Sequence, residues 1–201
     1  MVTKQGVMKK TDLNSFENTR KGGIIAISLG KDDKLIDVQL TNGKQEILIG
    51  THGGMAIRFN ESDVRSMGRT AAGVRAIKLD KKDFVVGLVA VKRAGTSILV
   101  VTDKGYGKRS DLQDYRMTRR GGKGVITMKS SDKNGSVISI REVVDNDDLM
   151  IITTKGIMIR QNLGEIRVMG RNTQGVRLIK LHEGDTISAV ASVVGDDEEV
   201  E

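Results

Sequence analysis

The stretch GMAIRFNESDVRSMGRTAAGVRAIKL, residues Gly54 to Leu79, joins two landmarks that the rest of the chain repeats. The first is an apolar run, a glycine turn and a strand-like segment ending on a cation. It recurs as VTKQGVMKK (2–10), ILIGTHGGMAIR (47–58), ILVVTDKGYGKR (98–109) and MIITTKGIMIR (150–160). Its turn glycines, Gly6, Gly54, Gly105 and Gly156, lie 48, 51 and 51 residues apart. The second landmark recurs as NTRKGGIIAISL (18–29), MGRTAAGVRAIKL (67–79), MTRRGGKGVITMK (117–129) and MGRNTQGVRLIKL (169–181). Gly23, Gly73, Gly124 and Gly175 are spaced by 50, 51 and 51 residues. Two independent landmarks therefore give one period, which is the signature of a repeat architecture.

Within a unit the local signals are those of strands. GVRAIKL and GVRLIKL alternate with a period of about two, and VVGLVAV, VISIREV and ISAVASV are β-branched runs. TDLNSF and SDLQDY offer one short turn each, with Thr11 and Ser110 as the expected caps. Small sheets repeated in this way bury both faces only by stacking on one another, as the blades of a propeller do. The expected fold is all-β, a propeller-like disc of four units covering about 1–45, 46–95, 96–147 and 148–194, with residues 195–201 as an acidic disordered tail. MVTKQG keeps only the end of the apolar strand seen whole in later units, so the first blade is expected to be cut through its opening strand and the chain to be a fragment of a larger disc.

Composition excludes several classes of function. With no cysteine and two isolated histidines, His52 and His182, disulfide frameworks and zinc centres are not expected. No apolar run is long enough for a signal peptide or a membrane span, and a soluble intracellular protein is the simplest expectation. RRGGKG (119–124) and GYGKRS (105–110) lack the glycine spacing and following hydroxyl of a phosphate-binding P-loop. SSDKNGSVISIR begins on Ser130 and ends on Arg141 where a calcium loop needs acids, and Asp145 to Asp148 read as a hydrated turn between strands. No catalytic residue, metal site or cofactor is expected in this chain.

Positive charge, in contrast, recurs with the repeat. With 33 Lys and Arg against 26 Asp and Glu, the formal charge is +7. After the first glycine turn come Lys9 and Lys10, Arg58, Lys108 and Arg109, and Arg160. Before the second glycine come Arg20 and Lys21, Arg69, Arg119 and Arg120, and Arg171. Further cations fall at Arg65, Arg116 and Arg167, then at Arg75, Lys123 and Arg177. Equivalent positions on successive blades lie at equal radius, so these cations form a belt suited to the phosphates of a bent duplex. With so few aromatic residues, stacking on single-stranded bases is not favoured. The competing account is a structural or protein-binding propeller whose cations keep a β-rich surface soluble or pair with acids such as Glu61, Asp63 and Glu165.

GMAIRFNESDVRSMGRTAAGVRAIKL, GYGKRSDLQDYRMTRRGGKGVITMK and GIMIRQNLGEIRVMGRNTQGVRLIKL together resemble the C-terminal domain of the bacterial DNA gyrase A protein, with the equivalent topoisomerase IV domain as a close relative. The resemblance covers nearly the whole chain. It implies a β-pinwheel of usually six blades that exchange strands and wrap duplex DNA around a basic edge, in support of ATP-dependent negative supercoiling. The implied partners are duplex DNA, the gyrase A breakage-reunion core and the gyrase B protein. ATP and magnesium belong to the complete enzyme, and neither Tyr106 nor Tyr115 is the catalytic tyrosine. The implied location is cytoplasmic and nucleoid-associated, with no membrane partner. The family's gyrase A box reads glutamine then RRGGKG in the opening blade, whereas here Thr118 takes the glutamine position and the match falls in the third unit, so about two blades are expected upstream. GRTAAGVR and GRNTQGVR favour gyrase over a topoisomerase IV domain that directs DNA segment selection. Asp196, Asp197, Glu198, Glu199 and Glu201 resemble the acidic tails that moderate DNA access in some gyrases.

Overall fold

The computed structural model describes residues 1–19 and 21–195. Each unit opens with a hairpin folded by its first glycine turn: β1 (Val2–Thr3) with β2 (Val7–Met8), β4 (Glu46–Thr51) with β5 (Met55–Asn60), β8 (Ser97–Thr102) with β9 (Tyr106–Asp111), and β12 (Asp148–Thr153) with β13 (Met158–Asn162). The turn glycines have φ between +78° and +85°, the left-handed region that side chains disfavour. After each hairpin comes one 3-10 turn, at Leu13–Phe16, Glu61–Asp63, Leu112–Asp114 and Leu163–Glu165. The caps are Asp12, Asn60, Asp111 and Asn162, whose side-chain oxygens accept the amide two residues on. The expected caps Thr11 and Ser110 thus each lie one residue too early, because the carboxylate that follows is the side chain able to reach back to the chain.

The second landmark then leaves its own unit. β6 (Val74–Arg75) pairs with β2, β10 (Val125–Ile126) with β5 and β14 (Val176–Arg177) with β9, each time joining the preceding sheet. The chain returns to its own sheet as β7 (Val85–Ala90), β11 (Val137–Val143) and β15 (Ile187–Val193), and in the first unit β3 (Leu35–Asp37) plays that part. The result is four antiparallel sheets with orders β3-β1-β2-β6, β10-β5-β4-β7, β11-β8-β9-β14 and β13-β12-β15. Each complete blade therefore draws three strands from one unit and the fourth from the next.

Stacking of the blades forms three apolar cores. Ile47, Ile49, Phe59 and Leu88 pack toward Val2 and Met8; Leu48, Val89, Val100 and Tyr115 meet Val137 and Ile140; Leu99, Val101 and Val143 meet Leu149, Ile151 and Val190. Alternate residues of one strand enter cores on opposite faces, as Ile47/Ile49 and Leu48 do, which explains why these strands read as unbroken apolar runs. Gly50 and Gly87 have only bare backbone against Ile140; a Cβ at Gly50 would lie 2.9 Å from its side chain.

Asp145 to Asp148 do not form a merely hydrated turn. Asp147 is buried and takes both terminal nitrogens of Arg93, at 2.9 and 2.7 Å, while Asp145 pairs with Arg109 and Asp148 with Arg160. Burial pushes the Asp147 carboxyl up, but hydrogen bonds from Arg93 and from the Val144 amide outweigh it and the net shift is downward. A lowered folded-state pKa contributes stability present above the unfolded value of about 4 and lost as pH falls through the folded value. Asp147→Ala is expected to cost about 2–3 kcal/mol at neutral pH, below the range for a fully buried pair because Arg93 is half-buried. Urea unfolding of the two proteins should show that difference shrinking as pH is taken from 6 to 3.

Candidate nucleic-acid interface

Four of the candidate cations are interior residues. Lys9, Arg58, Lys108 and Arg109 are all at most 6% exposed. Arg58 pairs with Glu46 and donates across the blade boundary to the carbonyls of Leu112 (2.7 Å) and Tyr115 (3.0 Å). Arg109 repeats the arrangement one unit on, donating to Leu163 O at 2.6 Å, to Ser97 Oγ at 2.9 Å and to Asp145. Lys10, at the equivalent place in the first unit, reaches Glu61 O at 3.1 Å. Arg160 occupies the same place in the fourth unit, where it is exposed and paired with Asp148. In the first three units, the cation that ends the hairpin thus ties the turn of the following unit to its own blade.

A second row is half-committed. Arg69 donates to Ile25 O, Arg120 to Asp63 O and Arg75 O, and Arg171 to Asp114 O and Ile126 O, at 2.9–3.1 Å. In each case the acceptor belongs to the preceding unit, and the arginine is only partly exposed. RRGGKG is therefore a seam between blades, with the Gly121 amide donating to Ala76 O and Gly122 O accepting from the Lys78 amide. The Gly121 amide is thereby occupied within the protein instead of facing outward.

The remaining candidates face solvent. Arg65, Arg116 and Arg167 are exposed at steps of 51 residues, each just before the residue (Ser66, Met117, Val168) that bridges to Lys10, Arg58 or Arg109 of the preceding unit. Lys21, Arg75, Arg119, Lys123 and Arg177 are exposed as well. Lys123 lies 3.4 Å from Asp80 with both groups in water, and Arg177 lies over the Tyr106 ring and donates to its hydroxyl. Arg20 and the acidic positions Asp196, Asp197, Glu198, Glu199 and Glu201 lie outside the described residues.

One further row is absent from the sequence-based candidates. Lys78, Lys129 and Lys180 are exposed, fall at the same step of 51, and closely follow the exchanged strands. The amides of Lys78 and Lys129 bond the second-landmark loop of the next unit, at Gly122 O and Thr173 O. Their regular spacing is the signal that could have found them. Tyr115 is fully buried with its hydroxyl bonded to Thr127 Oγ1, and among the described residues no group of three or more potential metal ligands gathers. No helix among the described residues is long and apolar enough to cross a membrane.

The profile of the DNA gyrase C-terminal domain, a β-propeller, matches residues 1–42, 45–92, 96–143 and 147–193. The chain belongs to the DNA gyrase C-terminal domain family. That family corresponds to the non-catalytic part of the enzyme, separate from the breakage-reunion core. The DNA gyrase A protein of Haloquadratum walsbyi is 49% identical over 191 residues, an alignment covering 94% of this chain and 22% of the relative. The chain accordingly spans about a fifth of the length of the curated relatives it matches. Among solved structures, the C-terminal domain of DNA topoisomerase IV superposes with a TM-score of 0.92 at 30% identity, covering 98% of this chain and 61% of that one. The DNA gyrase A C-terminal domain superposes with a TM-score of 0.86 at 26% identity, covering 96% and 64%.

Proposed function

We propose that this chain binds and bends duplex DNA without reading its sequence, along a path of exposed cations, and so supports ATP-dependent negative supercoiling by a gyrase. The observation that carries the reading is the equal spacing of Arg65, Arg116 and Arg167 on three successive blades, with Lys78, Lys129 and Lys180 repeating beside the seams. Evenly stepped cations neutralise phosphates over several turns, and contacts to backbone alone leave specificity to DNA bendability. Lys21, Arg75, Arg119, Lys123, Arg160 and Arg177 extend the path, and Arg69, Arg120 and Arg171 reach it with the part of the side chain left outside. Lys9, Lys10, Arg58, Lys108 and Arg109 act in this reading by fixing one blade on another.

The disc is proposed to continue to about six blades. Gly73 and Gly175 each lie against a carbonyl of the preceding blade, whereas Gly23, with the same positive φ, has nothing within 4 Å. Gly156 is equally open although Gly6, Gly54 and Gly105 are covered by the exchanged segment of the next unit. These two open glycines are the unfilled halves of blade junctions, which supports upstream blades that close the ring between the fourth unit and the first. The complete enzyme would supply the breakage-reunion core, the gyrase B protein, ATP and magnesium, in the bacterial cytoplasm at the nucleoid, and the acidic tail would moderate access of DNA. The topoisomerase IV reading rests on the closer superposition to that domain; the 49% identity to a gyrase favours the gyrase reading.

The test is binding to duplexes of increasing length across a salt series, with relaxation and religation of a circular plasmid. Length-dependent affinity, a steep salt slope and a handed shift of topoisomers are expected. Weak, length-independent binding with no topological shift would leave a structural propeller.

A further inference from the structure

Lys9 and Lys108 hold equivalent places, the third residue after the first-landmark glycine, and both are buried. Lys108 Nζ donates to Gly170 O at 2.8 Å, to Arg171 O, and to Thr173 Oγ1 at 3.2 Å. All three acceptors belong to the second-landmark loop of the next unit, and Thr173 Oγ1 in turn donates to Gly170 O at 2.9 Å. An ammonium has three donors and no acceptor, so this site matches its full capacity. Lys9 Nζ acts similarly two junctions earlier, donating to Arg69 O and, at 2.6 Å, to Ala26 O.

The junction between the second and third blades is built differently. There the equivalent residue is Ile57, and the loop facing it is RRGGKG, where Gly122 sits so close that an added Cβ would lie 3.7 Å from the Ile57 side chain. The chain therefore pairs lysine with GRTAAG and GRNTQG, and isoleucine with RRGG. A buried ammonium without carbonyls to receive it is costly, and loop carbonyls turned inward without a donor are costly as well, so lysine and loop are complementary parts.

The loop seated by Lys108 lies between Arg167 and Arg177, and it carries Arg171, whose Nε and one terminal nitrogen bond the preceding unit. We propose that Lys108, and by the same geometry Lys9, is a positioning residue: its ammonium holds the arginine-bearing loop of the next blade, and through it sets the step from one group of DNA-facing cations to the next. This rests on the DNA-path reading only for its functional consequence; the seating of the loop stands apart from it. Burial pushes the Lys108 amine down to about 8, with Asp114 opposing and the nearby Arg171 adding to the shift.

Amide hydrogen exchange of the full chain tests the seating without DNA. In Lys108→Met, exchange at Lys129 and Met169, whose amides bond Thr173 O and Arg109 O, is expected to rise at least tenfold. Exchange at Gly121, in the isoleucine-type junction, is expected to stay unchanged. If the methionine variant does not fold, Thr173→Val removes one acceptor and should raise the same amides by a smaller factor. Exchange at Lys129 and Met169 that is unaltered, or that rises equally at Gly121, overturns the proposal. Installing the other junction type, Lys108→Ile with Gly170→Arg, Asn172→Gly, Thr173→Gly and Gln174→Lys, should restore protection. For the consequence, the ratio of long- to short-duplex affinity should fall about fivefold in Lys108→Met at a temperature where it remains folded. An unchanged ratio in a wild type that does bind with length dependence confines Lys108 to seating the loop, whereas a wild type without length dependence fails the DNA-path reading instead.

Discussion

Replacing Arg65, Arg116 and Arg167 together by Gln is expected to weaken duplex binding about 100-fold near physiological salt and to lower the slope of log K against log salt by about 3. The three side chains are exposed and, among the described residues, no hydrogen bond or ion pair engages them, so their removal leaves nothing buried unsatisfied. Stability should therefore change by less than about 0.5 kcal/mol, which separates the effect from unfolding. The contrasting variant is Arg109→Met, whose donors serve Ser97 and Leu163 inside the molecule and the exposed carboxylate of Asp145. It is expected to lower stability by about 3 kcal/mol and to leave the salt slope of the folded fraction unchanged. Titrations at four salt concentrations, paired with thermal unfolding, read both quantities. A triple variant with the wild-type slope would remove these arginines from the DNA path.

The largest stability effect is expected at Gly124. Its φ is +78°, and a Cβ there would overlap the Ala56 carbonyl of the preceding blade, which is backbone and cannot turn away. Gly124→Ala should cost about 3 kcal/mol or more, combining left-handed strain with displacement of the exchanged strand β10. Gly23→Ala meets the same region of φ, +76°, with open space around it, and should cost only about 1 kcal/mol. In a chain of this size those figures correspond to falls in Tm of roughly 10 °C and 3 °C. Equal losses would mean either that β10 does not dock where the structure puts it, or that Gly23 is covered in solution by another blade. Concentration-independent unfolding separates the first from docking between copies.

Much of the candidate site was legible because the repeat is nearly regular. A step of 51 residues brings Arg65, Arg116 and Arg167 to equivalent places whatever the details of the sheets. The same rule applies to Lys78, Lys129 and Lys180, but these lie beyond the glycine landmark and look like ordinary strand-end lysines. What spacing could not distinguish was inside from outside. Lys108 and Lys123 are both lysines beside glycines in basic stretches, yet one is fully buried and the other exposed.

By itself, then, the sequence determined the number of units, their all-β character and the family, since turn glycines, alternation and repeat length act through local backbone preference. Tertiary structure alone decided which cations face water. The fourth strand of each complete blade comes from the following unit, and this crossing brings the loops at Arg69, Arg120 and Arg171 over the hairpins of their neighbours. There the carbonyl groups of one unit must find donors about 50 residues away, as Leu112 does in Arg58 and Gly170 in Lys108. Burial of a charge depends on such distant partners, because only a complete set of acceptors offsets its desolvation, and no local pattern in the chain encodes that set.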